Sequence, residues 1–422
     1  MSVLLGPGQP APGQPGAGQP GAGQPAPGQA GTGQLSARLR PAWVEVDLAA
    51  VRANVDYIAR QVAPAGVCAV VKAFGYGHGS VPVALAALEG GAVYLGVALA
   101  EEGHELRKAG VDAPVLVLSE PPPGAMGLVV EDRLAPTIYT RDGLRSLVDA
   151  VREGPGGKPE AGGAGRALPF PVHLKLDSGM HRVGAGATEV VRLARAVVAA
   201  PELELEGIFT HLAVADEPGD AFTDRQLAGL DAVVADLHAE GISPRFVHAA
   251  NSAGALLHQA ARYDLVRAGI AVYGLAPAAS LQGDGRVSCL RPALSLKARV
   301  SYLKKVAGGE RLSYGLRYRL GGESVIATVP LGYADGVPRR LSELGGQVLI
   351  GGRRLPIAGA VTMDQILVDC GQASTVRAGD EVVLLGRQGD EEISAWEWAE
   401  RLGTIAYEVT CALSARLPRI YV

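Results

Sequence analysis

An α/β architecture is predicted: a closed (β/α)8 TIM-like barrel followed by a mostly β C-terminal domain. Three observations predict it. At 422 residues the chain exceeds one ordinary domain, so two domains plus extensions is the natural division. Short apolar runs alternate with helical stretches through residues 67–271, and eight βα units suggest a parallel sheet closed on itself. From about Arg291 the alternation stops and strand-like runs follow one another. The expected division is a Gly-Gln-Pro-rich tail at 1–40, a barrel at 41–288 and a β domain at 289–422.

In the tail, Gly-Gln-Pro recurs every five residues from Gly8-Gln9-Pro10 to Gly23-Gln24-Pro25. That period excludes collagen, which needs three. No charge precedes Arg38 and large apolar side chains are few, so the expectation is a disordered segment. It lacks the basic start and long apolar core of a signal peptide. Residues 43–46 alternate like a strand. Asp47 then caps a helix whose Leu48, Val51, Val55, Ile58 and Val62 recur at helical spacing.

The eight barrel strands are expected at 67–71, 92–98, 114–119, 134–139, 171–177, 205–211, 246–250 and 263–271. Helices at 187–200 and 222–241 separate the later ones, and 154–165 reads as a Gly-rich insertion loop. A doubly wound open sheet is the alternative, but no Gly-x-Gly-x-x-Gly loop follows an early strand. In the β domain, strands are expected at 297–306, 324–331, 347–350, 366–369 and 381–385, with a hairpin turn at Gly351-Gly352. One helix at 394–402 opens on a capping box, Ser394 with Glu397.

The net charge of −4 is small and unclustered, and no basic, aromatic-interleaved run argues for nucleic acid. Cys68, Cys289, Cys370 and Cys411 lie far apart with no metal-ligand spacing. Reduced thiols in a cytoplasmic protein are the expectation, with no metal site. No apolar run is long enough to suggest a membrane span.

Barrel chemistry sits at the C-terminal ends of the strands. Lys72 ends the first strand, ahead of the loop Gly75-Tyr76-Gly77-His78-Gly79; a lysine leaving a buried strand is partly desolvated, and its neutral amine is a nucleophile. Arg182 follows strand five, His211 ends strand six, Asn251 and Ser252 follow strand seven, and Arg267, Gly269 and Ile270 mark strand eight. Taken singly, His211 reads as a satisfied core histidine, Arg267 as a structural ion pair and Ser252 as an N-cap. Their shared place at one mouth argues for a site.

These segments resemble the alanine racemases, which use pyridoxal 5'-phosphate. The blocks that carry the resemblance are Val71-Lys72-Ala73 through Gly79, Val172-His173-Leu174-Lys175-Leu176-Asp177, Gly207-Ile208-Phe209-Thr210-His211, His248-Ala249-Ala250-Asn251-Ser252 and Val266-Arg267-Ala268-Gly269-Ile270. Ser313-Tyr314-Gly315, Gly332-Tyr333-Ala334-Asp335-Gly336, Thr362-Met363-Asp364-Gln365 and Tyr407-Glu408-Val409 extend it into the second domain. The resemblance implies that Lys72 forms the Schiff base with the cofactor and is one catalytic base, and that Tyr314 is the other. It places Tyr76, Arg182, His211, Asn251, Ser252, Arg267, Gly269, Ile270 and Tyr407 around the cofactor, with Arg267 at the pyridine nitrogen. Ser252, Gly269, Ile270, Tyr76 and Tyr407 fall at the phosphate. Arg182, Met363, Asp364 and Tyr333 would meet the substrate. Lys175 matches a lysine that is carbamylated in some members.

The implied activity is interconversion of L- and D-alanine for peptidoglycan. The implied assembly is a head-to-tail homodimer in which Tyr314 serves its neighbour's Lys72. Three positions depart from the family pattern: Phe74 replaces Asn or Asp, His181 replaces a small or polar residue, and Thr362 stands where Cys is common. A racemase of serine or a basic amino acid, and a non-catalytic cofactor-binding protein, are the alternatives left open by the residues.

Overall fold

The computed structural model describes residues 40–154 and 169–422. The expected disordered tail and most of the expected insertion loop lie outside the described residues.

Strand β1 (Ala42–Val46) leads into helix α1 (Leu48–Val62), capped by Asp47, whose Oδ1 accepts from Ala50 N at 2.8 Å. The barrel follows in order: β2 (Gly66–Val70), α2 (Ser80–Glu89), β3 (Tyr94–Val97), α3 (Ala100–Lys108), β4 (Val115–Val117), α4 (Met126–Glu131), β5 (Ala135–Ile138) and α5 (Arg141–Glu153). The second half comprises β6 (Phe170–Lys175), α6 (Ala187–Ala199), β7 (Leu203–Phe209), α7 (Phe222–Ala239), β8 (Phe246–His248), α8 (Ser252–Leu257) and β9 (Leu265–Ala268). All eight strands β2 to β9 lie parallel in one sheet, ordered β8-β7-β6-β5-β4-β3-β2-β9. Its two ends meet where Asp264 N donates to Val247 O at 3.1 Å and Arg267 N to Ala250 O at 2.9 Å. The short strands are mostly buried, because barrel residues face either the filled interior or the helices.

The second domain contains β10 (Leu294–Arg299), β11 (Tyr302–Val306), β12 (Arg311–Leu312), β13 (Tyr318–Arg319), β14 (Ser324–Val329) and β15 (Gln347–Ile350). It continues with β16 (Arg353–Pro356), β17 (Ile366–Asp369), β18 (Glu381–Gln388), β19 (Glu391–Ile393), α9 (Ala395–Leu402), α10 (Ala406–Cys411) and β20 (Arg419–Tyr421). The main sheet runs β16-β15-β18-β10-β1-β20, with β19 on β18; β11-β14-β17 form a second sheet.

Two expectations are corrected here. Strand β1, grouped with the barrel from sequence, pairs antiparallel with β10 and parallel with β20 in the β domain. Four of its five residues are buried, as suits a strand with neighbours on both sides. The strand expected at 297–306 is two: Val300 N bonds Asp380 O while Ser301 N bonds Thr328 O, so the chain changes sheets between them. A helix not expected from sequence, α10, follows α9 and reaches the barrel mouth.

Candidate active site

Lys72 leaves the top of β2, and the backbone after it winds left-handed. Ala73, Phe74, Gly75 and Tyr76 have φ of 53°, 54°, 58° and 51°. Successive L-residues resist this conformation, so the surroundings must impose it. Glu102, in the first turn of α3, accepts from Ala73 N at 2.7 Å and also from Ala98 N at 2.7 Å and Leu99 N at 3.2 Å. From the other side Arg419 donates to Gly77 O at 3.0 Å and lies 5.1 Å from the Phe74 ring centroid. Phe74 is therefore held by stacking where the family pattern has a polar side chain. Helix α10 presses so close that a Cβ on Gly77 would sit 2.2 Å from Thr410 O, which requires glycine there.

The turn aims Lys72 and Tyr76 into a cavity of about 490 Å³ at the C-terminal mouth of the barrel. Lys72, Tyr76, Lys175, Arg182, His211, Asn251, Ser252, Arg267, Gly269, Ile270 and Tyr407, all expected from sequence, line it. Burial, then the Arg182 charge, lowers the Lys72 amine from its ordinary value, with Glu102 opposing. Lys175 is 5% exposed; burial and the Arg267, Arg182 and Lys72 charges bring it to about 8. Arg267 is 3% exposed and burial lowers it to about 10.

Arg267 is caged by neutral acceptors: His248 Nδ1 at 2.8 Å, Thr210 O at 2.7 Å, Ala249 O at 3.0 Å and His211 Nδ1 at 3.2 Å. Burial and the same cations push His211 well below its ordinary value, so it is a neutral imidazole. Lys175 and Arg267 both face the Phe209 ring, at 5.4 and 4.8 Å from its centroid.

The floor of the cavity is built for oxygen atoms. Ser252 Oγ accepts from Gly269 N at 2.9 Å and Ala271 N at 3.3 Å, which leaves its hydroxyl proton to donate. A Cβ on Gly269 would meet Tyr76 Oη at 2.6 Å, so glycine keeps this corner open. Burial raises Tyr76 and Tyr407, which remain neutral donors. Asn251 lines the cavity while capping α8, its Oδ1 accepting from Gly254 N at 2.9 Å.

An excess of buried cations, a desolvated amine and several hydroxyl donors suit an anionic, aldehyde-bearing ligand. Pyridoxal 5'-phosphate is such a molecule, and these side chains fit it.

Four expected site residues are elsewhere in the chain. Tyr314, Met363 and Tyr333 are 72%, 53% and 42% exposed on the β domain, and Asp364 beside them is paired with Arg416 at 2.7 Å. Tyr314 sits on a strained loop: Ser313 and Leu316 have φ of 59° and 49°. The 332–335 and 362–364 loops are joined by Tyr333 N to Thr362 O at 3.0 Å and Ala334 N to Met363 O at 3.1 Å. Thr362 Oγ1 donates to Gln365 O at 2.7 Å, a turn contact, and His181 turns toward Asp177 at 3.1 Å rather than into the cavity.

Sequence reasoning missed Glu102, Phe209, His248 and Cys411. Glu102 looks like an ordinary first-turn acid; Phe209 and His248 lie inside blocks already singled out, where their alternation with buried neighbours was the available signal. Cys411 lines the cavity from α10, a helix the sequence did not announce.

Known proteins share the sequence and fold of this chain. Residues 46–277 match the family model "Alanine racemase, N-terminal domain" and residues 293–421 match "Alanine racemase, C-terminal domain". The chain belongs to the alanine racemase family. An alanine racemase of Symbiobacterium thermophilum is 48% identical over 91% of this chain and 97% of its own length. One from Carboxydothermus hydrogenoformans is 41% identical over 91% of this chain and 100% of its own. Among solved structures, the Enterococcus faecalis (E. faecalis) alanine racemase superposes with a TM-score of 0.83 at 38% identity, covering 91% of this chain and 99% of that one. The Bacillus anthracis alanine racemase with bound L-Ala-P gives 0.81 at 40% identity, covering 91% and 95%. Among the described residues no helix is long and apolar enough to cross a membrane, and no cluster of metal ligands occurs.

Proposed function

We propose that this protein interconverts L- and D-alanine with pyridoxal 5'-phosphate as its resident cofactor, supplying D-alanine for peptidoglycan in the cytoplasm. The observation that carries the reading is the convergence of a desolvated Lys72 with Arg267, His211, Ser252 and Tyr76 in one cavity. When bound, the cofactor supplies an electron sink that acidifies the substrate Cα–H bond.

The chain does the rest. Lys72 would hold the cofactor through Nζ and, once released, take or return a proton on one face of Cα. Ser252 Oγ, Tyr76 Oη and Tyr407 Oη would donate to its phosphate, and Arg182 to its phenolic oxygen. Arg267 only donates, so an opposing ring nitrogen stays unprotonated and the sink is tempered. Lys175, at about 8, keeps a neutral fraction that can add CO2: the N–C bond forms as one N–H proton leaves to solvent, giving an anion beside Arg182.

Lys72 is the base proposed for one face of Cα. The second, Tyr314, would come from the partner subunit of a head-to-tail homodimer, with Met363, Asp364 and Tyr333 of that subunit meeting the substrate. Their exposure on the β domain supports this reading.

The test is alanine racemisation by purified protein supplied with cofactor, beside Lys72→Ala and Tyr314→Phe. The expected outcome is turnover in the parent, none in Lys72→Ala, and a loss in Tyr314→Phe in at least one direction. Cofactor binding without alanine turnover would redirect the reading to serine, lysine or arginine.

A further inference from the structure

Arg267 is the near end of a hydrogen-bonded chain that runs through the barrel away from the cavity. Beyond the 2.8 Å contact to His248 Nδ1, His248 Nε2 lies 2.9 Å from His173 Nδ1. His173 Nε2 is 3.1 Å from Glu206 Oε2, and Tyr94 Oη donates to the same oxygen at 2.8 Å. Both histidines are fully buried. Glu206 and Tyr94 line a separate cavity of about 460 Å³ at the N-terminal end of the strands.

The direction of every bond follows from the two ends. A guanidinium only donates, so His248 Nδ1 must be bare and its proton must sit on Nε2. That proton faces His173 Nδ1, which must be bare in turn. The His173 proton is therefore on Nε2, aimed at a carboxylate that only accepts. Burial and the Arg267 charge hold His248 well below its ordinary value, so it carries one proton. Burial alone would raise Glu206, but its bonds from His173 and Tyr94 keep it below the usual carboxylate range.

We propose that Glu206 is a positioning residue for the active site: as the terminal acceptor it backs, from the far end, the tautomer order that Arg267 demands from the near end, and so steadies Arg267. Take the acceptor away and the His173 Nε2–H is left buried without a partner, so the order rests on Arg267 alone and a joint shift of both protons toward Arg267 is less strongly opposed. If His248 responds by moving its own proton to Nδ1, it opposes Arg267. The effect crosses the barrel without any contact between Glu206 and the ligand. The inference rests on reading the cavity as the racemase site, and its test separates the two.

Nitrogen-15 NMR of the imidazoles in the full-length, cofactor-loaded protein reads the tautomers directly. In the parent, His173 and His248 are expected as Nε2–H with bare Nδ1. Either one found as Nδ1–H, or as imidazolium, overturns the proposal whatever the activity, and this measurement needs no variant to fold. Glu206→Gln keeps an acceptor oxygen, so tautomers and turnover should hold within about twofold. Glu206→Met has similar bulk and no oxygen acceptor; with one end of the chain gone, Nδ1–H should appear as a second population on at least one histidine, and kcat should fall about tenfold with KM little changed. Unchanged tautomers in Glu206→Met, or an equal loss in Glu206→Gln, would also sink it. A parent that shows the expected tautomers but does not racemise alanine would instead count against the function proposed above.

Discussion

At the scale of single residues the site is an accumulation of positive charge in a low-dielectric mouth. Lys175 carries the clearest consequence. Its folded value of about 8 lies below its ordinary 10.5, so between those values the unfolded chain binds more protons. Stability from this group therefore rises with pH across that window, and the cost of burying the cation is fully present below about pH 8. In cofactor-free protein kept free of CO2, Lys175→Met should stabilise the fold at pH 7 by about 1–3 kcal/mol. Thermal melts at pH 7 and pH 10 check this, because the advantage should shrink at the higher pH. An equal gain at both values would mean that charge is not the cause. Bicarbonate should also narrow the gap, since carbamylation would replace a cation among cations by an anion. Intact mass without the added carboxylate would remove that modification from the account.

At the scale of elements, Glu102 is the brace that lets a left-handed turn follow β2. Glu102→Ala would strip the acceptor from three backbone amides, those of Ala73, Ala98 and Leu99. The loss should be about 2 kcal/mol, read as a lower Tm, together with a fall in kcat as Lys72 loses its bearing. A Tm drop with kcat intact would show that the turn holds Lys72 without Glu102. Gly269→Ala belongs here too: the added Cβ must displace Tyr76 Oη from 2.6 Å, so cofactor affinity measured by titration should drop at least tenfold while the barrel still folds.

These elements also mark how far sequence alone could go. The barrel strands were legible because β2 and its successors are short apolar runs that end in polar residues, and the strand ends gave away the mouth. The place of β1 was not, because the alternation of residues 43–46 says that a strand exists and not which sheet takes it. The break at Val300–Ser301 was hidden because strand pattern runs unbroken across it; only the partners, Asp380 on one side and Thr328 on the other, divide it. That Lys72, Arg267 and Ser252 would meet at one mouth was readable from position. Phe209 and His248 were not, since a buried aromatic and a buried histidine look like core until the cation beside them is placed.

At the scale of the whole molecule, the barrel supplies the cavity with Lys72, while Tyr314, Met363 and Tyr333 lie open to solvent on the other domain. The domains cannot simply fold together to bring them in. Strand β1 and strand β20 pair side by side in the β-domain sheet, Arg419 is tied to Gly77 O, and Trp396 Nε1 donates to Ala276 O at 3.2 Å, so the domains are fastened at several points. The head-to-tail homodimer proposed above would resolve the geometry, since each β domain would then face the other chain's mouth. This makes a quantitative prediction. Lys72→Ala and Tyr314→Phe chains, each impaired alone, are co-refolded in equal amounts. In the mixed dimer one site lacks both bases and the other keeps both. Random pairing makes half the dimers mixed, so activity should return to about one quarter of the parent's. If Tyr314 served its own Lys72, mixing would restore nothing, because every site would still lack one of its two bases.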